Sequence, residues 1–238
     1  MLEAKKLTIG YKGKEIAQGI NLVASAGQFI SLLGQNGVGK STLIRTLANM
    51  QPPLSGVVQL DGISLAELPK SQLATKVGIV TTKKVGTSNM TVYEMVSLGR
   101  YPYTNWFGKE SQEDIEKVDA AISVCEIDYL KGSKLGEISD GQYQKTMIAR
   151  AIAQDTDFII LDEPTAHLDI VNRKSVFKLL KKIITERNKG IIVSTHELDL
   201  AKEFSDELWL MDFNSPVMVG TPGRLQDEGA IDQIFHLD

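Results

Sequence analysis

Disulfides, zinc modules and membrane spans are the first things this chain lacks the means for. One residue of 238 is cysteine, so no intrachain disulfide can close and no cysteine-rich metal module can form. Cys125 lies in an apolar-periodic stretch with Ala121, Ile122, Val124 and Ile127, which predicts a buried, inert thiol and fits a reducing compartment. No apolar run approaches the ~20 residues that cross a bilayer. Met1-Leu-Glu-Ala-Lys-Lys-Leu7 passes directly into strand pattern without a signal-peptide apolar region, so any membrane role is expected to be peripheral. Basic excess is missing too. Lys and Arg number 26 against 30 Asp and Glu, for a net charge of −4, which does not favour bulk nucleic-acid binding. Repeats, low-complexity tracts and heptad runs are absent from the sequence. The length suits one large α/β domain, with or without an inserted subdomain.

What is present is concentrated in Gly34-Gln-Asn-Gly-Val-Gly-Lys40-Ser41, a match to the G-x-x-x-x-G-K-[ST] phosphate loop at every specified position. Gly34, Gly37 and Gly39 let the backbone curl and turn successive N–H groups toward phosphate oxygens. Lys40 brings a point charge for the β- and γ-phosphates, and the Ser41 hydroxyl can ligate magnesium. The context agrees. Gln28–Leu33 is an apolar run of buried-strand type, and Ser41–Asn49 reads as a helix starting at the anion. The nucleotide-binding set is therefore Gly34, Gln35, Asn36, Gly37, Val38, Gly39, Lys40, Ser41 and Thr42.

Short strands are expected at 7–11 and 20–23 ahead of that loop. Pro52-Pro53 stops the first helix, and strands follow at 57–60 and 76–80 with a short helix at 68–76 between them. Helical periodicity then takes over. Thr91 and Ser111 stand as N-caps, and a third helix runs from Gly141 to Gln154. Strand patterns return at 158–161 and 191–194 around an amphipathic helix at 170–187. The expected fold is α/β: a mainly parallel phosphate-loop core with an N-terminal antiparallel β subdomain and an inserted helical subdomain. One domain spans 1–238, with the core at roughly 1–84 and 155–238 and the insert at roughly 85–154.

A second motif closes the strand Phe158-Ile-Ile-Leu-Asp162-Glu163. Its end delivers Asp162 to a metal at the carboxyl edge of the sheet, and Glu163 is placed as general base for water. Ile138-Ser-Asp-Gly-Gln142 is a helix start with a hydroxyl and free amides. The order of phosphate loop, helical insert, Ser-x-Gly-Gln helix start, Asp-Glu strand and late His196 resembles the ATP-binding-cassette (ABC) ATPase family along essentially the whole chain.

That resemblance implies ATP and Mg²⁺ as ligands and a head-to-tail homodimer. It places Ser139, Gly141 and Gln142 at the nucleotide of the opposite subunit. It makes His196 the switch histidine at the γ-phosphate, puts Tyr11 on the adenine and Asp169 at the subunit boundary, with His167 beside it. Glu163, His196 and Lys40 become the catalytic residues, and Ser41 and Asp162 the metal ligands. Two positions depart from the family pattern. Asp140 stands where glycine is commonest and is expected to face away from the nucleotide. Thr81-Thr82 replaces a Pro-Gln pair whose glutamine reaches the metal. His236 has no role assigned. Leu98-Gly-Arg-Tyr-Pro-Tyr103 and Glu163–Ile170 resemble the ATPases of iron-chelate, haem and cobalamin importers. Trp106 and Phe107 are read as core of the helical insert, with a membrane partner as the other reading. The implied partners are a multi-span permease and, indirectly, an extracytoplasmic binding protein. The implied location is the cytoplasmic face of the inner membrane, and ferric siderophore is the first cargo, ahead of haem and cobalamin. The competing readings are a soluble ABC ATPase acting on nucleic acid or ribosomes, and a small-molecule kinase.

Overall fold

The computed structural model describes residues 1–11, 13–81, 88–104, 110–213 and 216–235. Thr82, Trp106, Phe107 and His236 lie outside the described residues.

The chain opens with an antiparallel pair, β1 (Leu2–Tyr11) and β2 (Lys14–Ala24). Next come β3 (Phe29–Gly34) and α1 (Lys40–Leu47). β4 (Ser55–Leu60) and β5 (Ile63–Ser64) turn about Asp61 and Gly62, both at positive φ. These strands complete a four-stranded antiparallel sheet of order β2-β1-β4-β5. β1 and β2 are longer than their apolar cores predict. Leu2 and Ala4, buried, pair on one side with Ala24 and Leu22 and on the other with Leu60 and Val58. Pairing on both edges carries the strand past its own hydrophobic pattern.

α2 (Lys70–Ala74) leads to β6 (Val77–Val80). Helices then dominate. They are α3 (Val92–Ser97), continued by a 3-10 turn at Leu98–Tyr103, then α4 (Gln112–Val124), a short turn at Asp128–Leu130, and α5 (Asp140–Ala153). Thr91, Ser111 and Ser139 each close a capping box with Glu94, Asp114 and Gln142. Each box satisfies amides that a helix start leaves open. Cys125 sits among these helices, and burial pushes its thiol up to about 12.

Strand–helix alternation resumes with β7 (Phe158–Asp162), α6 (Ile170–Arg187), β8 (Gly190–Ser194), α7 (Leu198–Phe204) and β9 (Glu207–Met211). β10 (Met218–Gly220), α8 (Pro222–Asp227) and α9 (Ala230–Phe235) follow. The second sheet has the order β10-β9-β3-β8-β7-β6 and is parallel except for β10. Every residue of β3, β7 and β8 is buried. Both faces are covered, by α1 and the antiparallel sheet on one side and by α6 and the helices 92–153 on the other. Residues after His196 show no sequence pattern that divides them into elements. They build a third cluster in which Leu208, Leu210, Leu225 and Ile231 cover Leu33.

Asp155 joins these layers. Its backbone is left-handed (φ 52) just past α5. Its two oxygens accept from Lys117 of α4 and from Lys189 ahead of β8, each at 2.8 Å. Burial acts to raise its pKa, but the two ammonium groups outweigh that and hold it at about 2. A carboxyl depressed in this way stabilises the fold above its ordinary value of 3.8, and the contribution fades as pH falls toward 2. With part of the side chain in water the contribution is about 1–2 kcal/mol. Asp155→Asn is expected to lose that amount at pH 7, and the deficit should narrow below pH 4. Urea unfolding at several pH values checks it.

Candidate active site

β3, β7 and β8 end side by side, with Ser194 in register with both Leu32 and Asp162. This carboxyl edge is where parallel α/β sheets receive ligands. The phosphate loop leaves β3 at Gly34, where an added Cβ would stand 2.4 Å from the Met211 carbonyl oxygen. It ends at Gly39, the N-cap of α1, at φ 114 and with Ile16 Cγ2 only 2.5 Å from where a Cβ would be. No side chain caps α1, so its first amides face the cleft without a side-chain acceptor.

Lys40 is 5% exposed. Its Nζ donates to the carbonyls of Gly34 (2.9 Å) and Gln35 (3.2 Å) and lies 3.9 Å from Glu163 Oε1. Burial lowers its pKa, opposed by the charges of Glu163 and Asp162. Ser41 Oγ donates to Asp162 Oδ1 at 3.0 Å. Ser194 Oγ donates to the same oxygen at 2.7 Å. The Glu163 amide donates to both the carbonyl (3.1 Å) and the hydroxyl (3.0 Å) of Ser194. Glu163 itself is left-handed, at φ 47.

Tyr11, Asn36, Gly37, Ser41, Thr42 and Glu163 share a cleft of about 260 Å³ with Gly39, Lys40 and Ile16. The Tyr11 hydroxyl is within 3.2 Å of Thr42 Oγ1, and the ring is half exposed at the mouth. Among the cleft's neighbours, Val38 is buried and Gln35 donates to the Ile234 carbonyl at 3.0 Å. Thr81 lines a second groove together with Tyr11 and Asp162.

The remaining candidates stand elsewhere. Ser139, Gly141 and Gln142 form the start of α5 and do not line the phosphate-loop cleft. Gly141 is held close to α6, where a Cβ would meet the Asn172 side chain at 3.0 Å. Asp140 is exposed and shares a cavity of about 330 Å³ with Glu163, His167 and Tyr143. His167 is exposed with φ 67. Asp169 is spent on the α6 start, accepting from the Asn172 amide (2.8 Å) and side chain (2.7 Å). His196 Nε2 lies 3.2 Å from Glu197 Oε1. Arg173 bonds the same glutamate and donates to the Leu168 carbonyl at 2.7 Å.

Ser194 and Arg173 carry geometry that the motif reading did not assign. Ser194 had a signal, as the polar residue ending an otherwise apolar strand. Its pairing opposite Asp162 is a matter of register, which one sequence does not disclose.

Loop, sheet edge and helix start together define the class, a phosphate-loop nucleotide-binding protein. The ABC transporter family profile matches residues 17–166, and the chain belongs to that family as one of its ATP-hydrolysing cassettes. It is 35% identical over 237 residues to an uncharacterized ABC transporter ATP-binding protein of Methanocaldococcus jannaschii, covering 100% of this chain and 82% of that one. It is 32% identical to the achromobactin transport ATP-binding protein of Dickeya dadantii (100% and 88% covered). Identity to the ferric enterobactin transport ATP-binding protein of Escherichia coli is 31% (99% and 87%). Among solved structures, an inward-facing ABC transporter described as metal-chelate type superposes with a TM-score of 0.86 at 26% identity (99% and 89% covered). A dimeric bacterial ABC transporter cassette superposes at 0.80 and 27% (93% and 99%).

Proposed function

We propose that this chain is the ATPase subunit of an importer for a metal chelate, with ferric siderophore the first cargo and haem or cobalamin next. The observation that carries the cargo class is likeness along the whole chain to the achromobactin and ferric enterobactin cassettes. The Leu98–Tyr103 segment supports it. Among the described residues no helix is long and apolar enough to cross a membrane, so the pathway belongs to a separate multi-span permease, fed by an extracytoplasmic binding protein. The chain would then work on the cytoplasmic face of the inner membrane. Affinity purification of the full chain from membranes should bring down a multi-span protein. The reconstituted pair should take up ferric siderophore only with ATP. Recovery with ribosomes or DNA instead, or a phosphorylated small molecule as product, would overturn this reading.

In the proposed reaction Lys40 and the loop amides hold the β- and γ-phosphates of ATP. Tyr11 stacks on the adenine, with its hydroxyl fixed by Thr42. Glu163 aligns a water and takes its proton as the water oxygen bonds to the γ-phosphorus. The bond to the β–γ bridging oxygen breaks, and ADP leaves with that electron pair. His196 attends the γ-phosphate after leaving Glu197. Ser139, Gly141 and Gln142 act on the nucleotide of the partner subunit, which accounts for their distance from the cleft of their own chain.

The residues present fit Mg²⁺. Ser41 Oγ and Asp162 Oδ1 are hard oxygen donors already converged at 3.0 Å. Among the described residues no group of three acidic, His or Cys side chains is assembled for a metal. That suits an ion bound by one carboxylate, a hydroxyl and substrate phosphates. When bound, the ion would neutralise charge on the phosphate oxygens. Ser194 orients the carboxylate that holds it. Ser194→Ala is therefore expected to raise the Mg²⁺ concentration for half-maximal rate about tenfold, a usual effect for a residue behind a ligand. Magnesium titration of the ATPase rate checks it.

A further inference from the structure

The segment Leu98–Tyr103 lies outside the nucleotide cleft, yet it contains a buried guanidinium. Arg100 and Asp114 are 3% and 4% exposed. Arg100 Nε donates to Asp114 Oδ1 at 2.8 Å, and Nη1 donates to the Ala153 carbonyl at 2.8 Å. The guanidinium lies 3.9 Å from the centre of the Tyr103 ring. The Tyr103 hydroxyl donates to the next carbonyl, Gln154, at 3.0 Å. Gly99 permits the approach, since a Cβ there would stand 2.3 Å from the Arg150 carbonyl oxygen. Asp114 is fixed independently. Its other oxygen accepts from the Ser111 amide (2.9 Å) and hydroxyl (2.7 Å).

One forked cation thus ties the start of α4 to the last carbonyls of α5. Helices leave such carbonyls unpaired, and a cation is favoured there. Lysine has no fork to span both acceptors. A buried ion pair adds little net stability, because desolvation offsets most of the attraction. Its return here lies in direction. α5 carries Ser139 and Gly141 at its other end, and its 14 residues make a rod of about 21 Å at ~1.5 Å each. A tilt of about 5° at the Arg100 end moves the far tip by about 2 Å, more than a hydrogen bond tolerates.

We propose that Arg100 is a positioning residue for hydrolysis. Anchored on Asp114, it sets the direction of α5 and so the fit of Ser139 and Gly141 against the partner's nucleotide. The inference rests on the two-subunit site proposed above.

The test is a double variant, Arg100→Met with Asp114→Asn, which removes the pair without leaving a lone buried charge. MgATP affinity of the isolated subunit should stay within about twofold, because the phosphate loop is untouched, while kcat falls at least about tenfold. In a Glu163→Gln background, ATP-driven dimerisation should need at least about tenfold more protein, measured by analytical ultracentrifugation. A folded variant with wild-type kcat and wild-type dimerisation overturns the proposal. So does an equal loss of nucleotide affinity, which would mark a general structural role. Should circular dichroism show the double variant unfolded, Arg100→Lys is read by the same criteria. If Glu163→Gln alone fails to dimerise with MgATP, the two-subunit reading itself falls, and this inference with it.

Discussion

Glu163→Gln is expected to bind MgATP as the parent does and to hydrolyse it at least about 10²–10³-fold more slowly. The amide keeps the shape of the carboxylate and the backbone bonds to Ser194, but it has no lone pair basic enough to take a proton. General-base catalysis is commonly worth 10²–10⁴, so the effect falls on kcat rather than on affinity. Lys40 sits 3.9 Å from this carboxylate in the free protein. Losing the negative charge therefore does not weaken phosphate binding, because it frees the ammonium for phosphate oxygens. Phosphate release measured under single-turnover conditions, beside equilibrium nucleotide binding, checks both halves. Wild-type turnover would remove Glu163 from the role of base.

Lys40→Met should act the other way round. The methionine fills the apolar path of the lysine stem without its charge. Loss of a cation that holds the β- and γ-phosphates in the bound ground state and the transition state alike costs about 3–4 kcal/mol, or 10²–10³-fold in affinity and in kcat/KM. Stability should change little. The buried ammonium is held by two carbonyls, and the penalty of burying it offsets most of what those bonds contribute. Calorimetric titration with MgATP and a thermal melt separate these outcomes. A variant that melts normally and still binds nucleotide at parental affinity contradicts the assignment. A related sign follows from the lysine's lowered pKa. Triphosphate charge favours the ammonium, so nucleotide binding should take up protons in alkaline buffer.

Local patterns in this chain were readable wherever chemistry and backbone geometry coincide. The phosphate loop requires particular residue types at each position. Thr91, Ser111 and Ser139 are short polar side chains at the start of apolar-periodic runs, and each caps the helix expected of it. The helix Ile170–Arg187 also stands where its periodicity put it. Strands β7 and β8 were legible because burial on both faces leaves no polar position inside them. What was not legible depends on register and distant pairing. The outer residues of β1 are held by two neighbouring strands rather than by their own pattern. β9, β10 and the last helices find their apolar partners across the molecule, in Leu33 and one another. Likewise the Ser194–Asp162 bond joins residues 32 positions apart. Tyr11 shows the limit for a single side chain. Its ring stands at the mouth of the phosphate-loop cleft, and its hydroxyl lies within 3.2 Å of Thr42 Oγ1, a contact across 31 positions that no local pattern discloses.

The left-handed backbone at Glu163 also bears on how the protein ages under mutation. A side chain in that region costs on the order of 1 kcal/mol that glycine would not incur. Selection for stability alone therefore presses against this position, and the role of base proposed for the carboxylate is what would resist it. Thermostabilising selections that ignore turnover should erode it early, leaving a tougher fold that holds its nucleotide and does nothing with it.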